Sequence, residues 1–392
     1  MLAVDEQALF ENHASKADFL TAGKIDDAIG LCLSGGGYRA MIYHVGVLIR
    51  LNELGLLREI QEIASVSGGS ITAGVLGHAW PRLLFNSNGT AGNFIEEVAE
   101  RILTFATVGV DTKSILLGLL PGRTAADGIA AAYDRHLFNG ASLRDLPDRP
   151  RFTFMATNLQ TGSGWRFAKD YAADHRVGRI DRPHLRLARV VAASSAFPPF
   201  LSPVKVKFEY GTVKPMDGAD LHKPPFKDVA VLTDGGVFDN LGLERVWRRC
   251  RTVLVSNAGR ATPEIGSPTG RWSGQIMRTL YLVQQQAENS RKRILFGMHN
   301  LGHRKAAFWS IDTPIADYGV QDTLPLAAEE TVMVANMRTR LNPFSPDEID
   351  LLLKAGYAGC DASIRARQLA KNDPPASYAG LPLRNVRPER AP

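Results

Sequence analysis

Two glycine-rich turns about thirty residues apart constrain this chain more than any other feature: Ser34-Gly35-Gly36-Gly37-Tyr38-Arg39 and Ser65-Val66-Ser67-Gly68-Gly69. Each follows a short apolar run, 28–33 and 62–66, that reads as a buried strand. Each opens a stretch of helical spacing. Tyr38, Met41, Ile42, Val45, Leu48 and Ile49 recur at i, i+3, i+4, i+7, which predicts a helix over 38–53 with one core face, stopped near Gly55. A second helix over 67–79 carries Gly68, Gly69, Ala73, Gly74 and Gly77, small enough to pack closely on a sheet. Strand, helix, strand, helix predicts a parallel sheet with helices on both faces.

Downstream, residues 80–150 read as mostly helical. Strands are expected at 152–157 and 164–167, with 158–162 as the turn between them. Another buried strand, 229–233, ends in Asp234-Gly235-Gly236, and Asp239 or Asn240 caps the helix after it. A strand at 252–256, a long helix from Arg271 to about 298, a strand at 306–311 and helical residues 322–371 complete the expectation. Residues 1–26 read as an N-terminal extension, and the Pro- and Arg-rich tail from Asn372 as frayed. With 392 residues there is length for one large domain or two ordinary ones.

Cys32, Cys250 and Cys360 are far apart and odd in number, which points to a reducing compartment without disulfides or a metal cluster. The N-terminal region lacks a basic segment and an apolar segment of the secretory kind. The apolar run 115–120 falls short of the ~20 residues of a membrane-spanning helix. A cytoplasmic protein is expected. The net charge of +6 reads as ordinary surface charge or, functionally, as attraction to an anionic surface. Without an aromatic-interleaved basic stripe or nucleic-acid motif, a membrane surface is the better partner, met peripherally, and nucleic acid is not expected.

The chemistry lies in the turns. A serine hydroxyl is a weak nucleophile until it is positioned and its proton accepted. Ser67 on a strand-to-helix turn stands at a helix N-terminus, where developing negative charge is favoured. Such an elbow wants small residues two before and two after the serine, and Ser65 and Gly69 stand there. Ser70 offers a rival register, with the β-branched Thr72 two residues after it. Gly35, Gly36 and Gly37 let a substrate oxygen approach bare N–H groups, which suits an oxyanion hole completed by the Gly68 amide. Arg39 is positioned either to neutralise a lipid phosphate or to brace the loop against an acid. Gly35, Gly37 and Ala40 also fit a dinucleotide-binding fingerprint. That fold wants an acidic residue at the end of the second strand, where this chain has serines. Asp234, at the end of a buried strand, is the candidate general base. His299 and His303 are the histidines after Asp234 that could complete a triad, whereas His44 reads as a packed histidine on the first helix.

These residues together resemble the patatin-like phospholipase family and the related cytosolic phospholipase A catalytic domain. The resemblance rests on residues 34–41, on Val66-Ser67-Gly68-Gly69-Ser70 and on Asp234-Gly235-Gly236. It extends to Ala156-Thr157-Asn158-Leu159-Gln160-Thr161-Gly162 and Ala193-Ser194-Ser195-Ala196-Phe197-Pro198-Pro199, in the same order from about Ala28 to Asn257. Ser65 departs from the glycine usual there. The resemblance implies an α/β fold: three α/β/α layers around a central, mostly parallel sheet. It places a patatin-like acyl hydrolase domain over 27–315, with 316–392 a C-terminal helical region and tail packed on it. It implies a Ser67–Asp234 dyad without histidine, acting on fatty acyl esters of phospholipids or other lipids, with no cofactor and no metal. The apolar stretches 115–120 and 197–201 are candidates for an acyl channel or an interfacial surface. A lipid-binding module of the same fold without turnover is the alternative from another functional class.

Overall fold

The computed structural model describes residues 25–108, 124–340, 342–370 and 374–378. Five strands run parallel in the order Lys305–Ser310 (β10), Cys250–Asn257 (β9), Asp26–Leu33 (β1), Ile60–Val66 (β2) and Arg151–Asn158 (β3). An antiparallel meander extends the sheet beyond β3 through Ser163–Phe167 (β4), Tyr171–Asp174 (β5) and Gly178–Asp181 (β6). Val204–Lys207 (β7) pairs with Val229–Asp234 (β8). The parallel strands are joined through Gly37–Glu53 (α1), Gly68–Ala79 (α2) and the longer excursions that the strand–helix rhythm predicts. The short strands β5, β6 and β7 lie outside the sequence expectation, because four residues carry too little periodicity to be read.

One pairing decides where the site lies. The edge of β3 facing β2 is shared between two strands. Its first half, Arg151 to Met155, pairs with Glu62 to Val66 of parallel β2, and its second half, Ala156 to Asn158, pairs antiparallel with Asp234 to Leu232 of β8. β2 and β8 therefore meet end to end, with the C-terminus of each pointing at the other. Ser67 comes directly after the last residue of β2, and Asp234 is the last residue of β8.

Side chains alternate across the sheet. Leu31 and Leu33 enter the larger core with α1, α2, Phe152 and Phe154, while Cys32 enters a smaller core on the other face with Ala64, Val246, Val255 and Leu295. Leu295 belongs to the long helix Trp272–Asn300 (α7). These two cores give the three layers. Between α2 and β3 the chain forms Glu100–Ala106 (α3) and Ala125–Tyr133 (α4). Leu187–Ser194 (α5) and the short Gly236–Asp239 (α6) flank β8.

Two expectations are corrected by the fold. The periodicity of α1 predicts one core face, yet fifteen of its seventeen residues are buried. The single helical stretch at 322–371 is two helices, Ala328–Asn336 (α8) and Pro346–Ala366 (α9), broken by a loop. The first has a visible cause: α9 crosses α1 and covers the side the pattern leaves toward solvent. The crossing is close, because a Cβ at Gly356 would stand 2.0 Å from the Tyr43 carbonyl oxygen and one at Gly46 would stand 2.0 Å from that of Leu353. Arg50, buried in α1, ion-pairs Asp361 of α9 at 2.6 Å. The apolar run 115–120, the extension 1–24 and most of the tail lie outside the described residues.

Candidate active site

Ser67 sits between β2 and α2 at φ 51° and ψ −120°, a region that a side-chain-bearing residue enters only when its surroundings hold it there. The holding groups are visible. The Ser67 N–H donates to Ser194 Oγ at 3.1 Å, and the Ser194 hydroxyl donates to the Met155 carbonyl at 2.6 Å. Gly68 must be glycine, since a Cβ there would lie 2.0 Å from the Gly37 carbonyl oxygen. The rival serine is accounted for by the same network. Ser70 is fully buried behind the turn, bonded to Ser65 Oγ at 3.0 Å and Ser194 Oγ at 2.8 Å. Ser65, the departure from glycine, therefore fits as a member of a buried hydroxyl chain under the elbow.

Asp234 is 5% exposed, its carboxylate accepts a hydrogen bond from the Gly236 N–H at 2.8 Å, and the Ser67 side chain stands beside it. Burial raises its pKa to about 6, and the Gly236 and Ser67 donors oppose that rise. The backbone N–H groups of Asp234 and Gly235 donate to the carbonyls of Ala196 and Ser194, so the segment after α5 fixes the aspartate. Asp239 caps the turn beyond α6, accepting from Leu241 and Glu244 N–H at 3.1 and 2.9 Å. This leaves Asn240 for a different task.

The loop before α1 faces the serine. Gly36 takes a φ of 138°, open to glycine alone, and Gly37 takes 59°, which glycine adopts without strain. The amides of Gly36, Gly37 and Gly68 find no protein acceptor among the described residues, and two of them lie at helix N-termini. Gly35 differs from its expected role as an oxyanion donor. Its N–H donates to the Asn240 carbonyl at 3.0 Å. What Gly35 provides is room: a Cβ there would stand 2.4 Å from Asn240 Oδ1 and 3.2 Å from Ser67 Cβ.

Arg39 braces the loop, with carbonyls as its partners rather than an acid. Its guanidinium donates to Ala335, Met337 and Ala258 oxygens at 2.7, 3.0 and 2.9 Å. Burial lowers its pKa to about 10, so it stays charged at neutral pH. His44 is fully buried. One ring nitrogen contacts the Ser34 carbonyl at 3.0 Å, so it carries the proton, and the other accepts from Ser256 Oγ at 2.9 Å. Burial lowers its pKa to about 4, which keeps the ring neutral. His299 and His303 do not join the site. His299 accepts from the Ala306 N–H at the start of β10, the sheet edge remote from Ser67, and His303 is exposed in the turn beside it.

Sequence reasoning missed Asn240, Ser194 and the 335–339 segment. A Cβ on Gly37 would stand 1.7 Å from the Thr339 carbonyl oxygen, so this C-terminal backbone forms the outer wall of the glycine-rich loop. Only Ser194, inside a stretch already singled out, carried a signal. A backbone carbonyl carries none.

A family model for patatin-like phospholipases matches residues 31–247. The fold is similar to that of human GIVD cytosolic phospholipase A2, at a TM-score of 0.52 and 14% identity over 94% of this chain and 67% of that one. The same human protein in complex with methyl gamma-linolenyl fluorophosphonate matches at a TM-score of 0.51 and 14% identity, over 94% of this chain and 64% of that one. VipD from Legionella pneumophila matches at a TM-score of 0.39 and 16% identity, over 88% of this chain and 67% of that one. No curated protein matches the sequence.

Proposed function

The chain belongs to the patatin-like phospholipase family, and from that premise we propose that it hydrolyses fatty acyl esters of lipids through a Ser67–Asp234 dyad. The observation that carries this reading is the meeting of Ser67 with the buried Asp234 carboxylate, close enough to lower its pKa, across the junction of β2 and β8. Ser67 Oγ attacks the ester carbonyl and Asp234 takes its proton. The oxyanion forms against the Gly36, Gly37 and Gly68 amides, where the two helix N-termini stabilise the charge. Asp234 then returns the proton to the departing alcohol, and water admitted to the same base releases the fatty acid from Ser67. A carboxylate with a pKa near 6 is suited to this exchange at neutral pH, being ionised at rest yet basic enough to hold a proton transiently.

Lipid access is proposed on the same side. Phe200 is 63% exposed in the loop whose Ala196 carbonyl holds Asp234, and Val237 is 40% exposed directly after Gly236. No helix among the described residues is long and apolar enough to cross a membrane. Phospholipids, lysophospholipids and neutral acylglycerols all present the ester that this geometry addresses.

A fluorophosphonate probe with tryptic mapping, run beside turnover on short-chain acyl esters, tests the dyad. Wild-type protein is expected to carry the adduct on Ser67. Ser67→Ala should lose both adduct and turnover while keeping its circular dichroism spectrum. His299→Ala and His303→Ala should stay within a few-fold of wild type, because loss of a triad member costs several orders of magnitude. Label on Ser70, or a collapse of turnover in either histidine variant, overturns the assignment. Folded protein that takes up no label identifies the non-catalytic lipid-binding module instead.

A further inference from the structure

At the opposite end of the strands, arginines outnumber their partners. Glu62, 4% exposed near the start of β2, has four guanidiniums around its carboxylate: Arg151 at 3.2 Å, Arg249 at 3.6 Å, Arg245 at 3.7 Å and Arg149 at 4.0 Å. A single carboxylate can neutralise one of them. Arg151 also reaches Asp170 at 3.3 Å, which leaves the group cationic. One observation indicates that this surplus is built to take something. The Arg245 side chain is 10% exposed, and its Nε and Nη2 have no hydrogen-bond partner, nor does the buried hydroxyl of Tyr171, over whose ring Arg245 lies at 5.5 Å. Leaving buried guanidinium donors unsatisfied is costly, and a multivalent oxyanion is the ligand whose geometry matches several planar forks at once.

We propose that this end of the sheet binds a phosphate group, held by Arg149, Arg151 and Arg249 and backed by Arg245. Arg149 also borders a cleft of about 950 Å³ that includes Arg58, Trp80 and Phe85. The cleft gives the organic part of a phosphomonoester an apolar seat. Its carboxylates are Glu59 and Asp27, the latter ion-paired to Arg251 at 3.3 Å. A soluble phosphate is favoured over a headgroup, a choice that rests on the lipid-hydrolase reading: with the Ser67 end on a lipid surface, the arginine end faces away from it.

The test is calorimetric titration of full-length Ser67→Ala protein with pyrophosphate and phenyl phosphate at low salt, beside sedimentation with phosphatidic acid vesicles. The serine variant separates binding from turnover, so failure of the dyad assignment leaves this result readable. Saturable binding of either soluble probe, weakened about tenfold or more by Arg149→Gln/Arg249→Gln, supports the site. Vesicle binding alone, lost in the same double variant, keeps the phosphate site and assigns it to a headgroup. Arg149 is 64% exposed and Arg249 is 39% exposed at the side chain, and Arg149→Gln alone provides a single replacement should the double variant misfold. No binding of any probe, or binding indifferent to these replacements, overturns the proposal.

Discussion

Asp234 joins the site's chemistry to its cost. A carboxylate buried with a serine hydroxyl and one amide as donors is less well solvated than in water, and its pKa of about 6 expresses that deficit. As a base it must be ionised, so kcat/KM for acyl ester hydrolysis should fall as pH drops through about 6, with a slope of one proton. The stability consequence has the opposite sense. Below the unfolded pKa of about 4 both states hold the proton, and between about 4 and 6 only the folded state does, so stability declines as pH rises through that window. Above it the folded protein carries a penalty of roughly 3 kcal/mol, by the linkage of about 1.4 kcal/mol per pKa unit. Asp234→Asn should therefore be inactive yet melt higher than wild type at pH 7. A lower melting temperature would mean that the carboxylate's hydrogen bonds outweigh its burial. The strained Ser67 backbone shares this character, with function placed where the fold is locally unfavourable.

At the scale of elements, the crossing of α1 and α9 holds the oxyanion loop from behind. The loop leads directly into α1, and Arg39 on its first turn is fixed by carbonyls at the end of α8 and just beyond it. A methyl group at Gly356 would collide with the Tyr43 carbonyl, so Gly356→Ala should lower the urea midpoint by an amount equivalent to about 1–3 kcal/mol. It should also lower kcat more than it raises KM, since the loop acts on the transition state. An unchanged midpoint would indicate that the helices separate without cost. Much at this scale was legible in the chain. The glycine runs announced both turns, because glycine reaches positive φ without strain and permits the closest backbone approach. The periodicity announced α1. What it could not announce was burial of the far side, since a hydrophobic pattern records which face is apolar but not what later segment arrives to cover the rest.

For the whole molecule, the family match ends at residue 247, yet the oxyanion loop is walled by residues 335–339 and α1 is covered by α9. We propose that 27–315 and the helices after it form one folding unit. A chain cut after residue 315 would expose Tyr43, Val47 and their neighbours on α1, and it should be recovered only as aggregate or lack a cooperative thermal transition. A soluble, active fragment would refute that unity.

Local chemistry settled a good deal by itself: two strand–turn–helix units, a serine on a sharp turn, a flexible amide-rich loop and an aspartate closing a buried strand. Each results from steric rules acting over a few residues. The tertiary structure alone decided that β2 and β8 share one edge of β3 and meet head to head, which brings Ser67 to Asp234 across 167 positions of chain. It alone decided that Gly35 yields space while its neighbours offer donors, and that Thr339 closes the loop. Those outcomes depend on which backbone groups find each other at long range, and a hydrogen bond between main-chain atoms leaves no mark in the identity of the side chains that flank it.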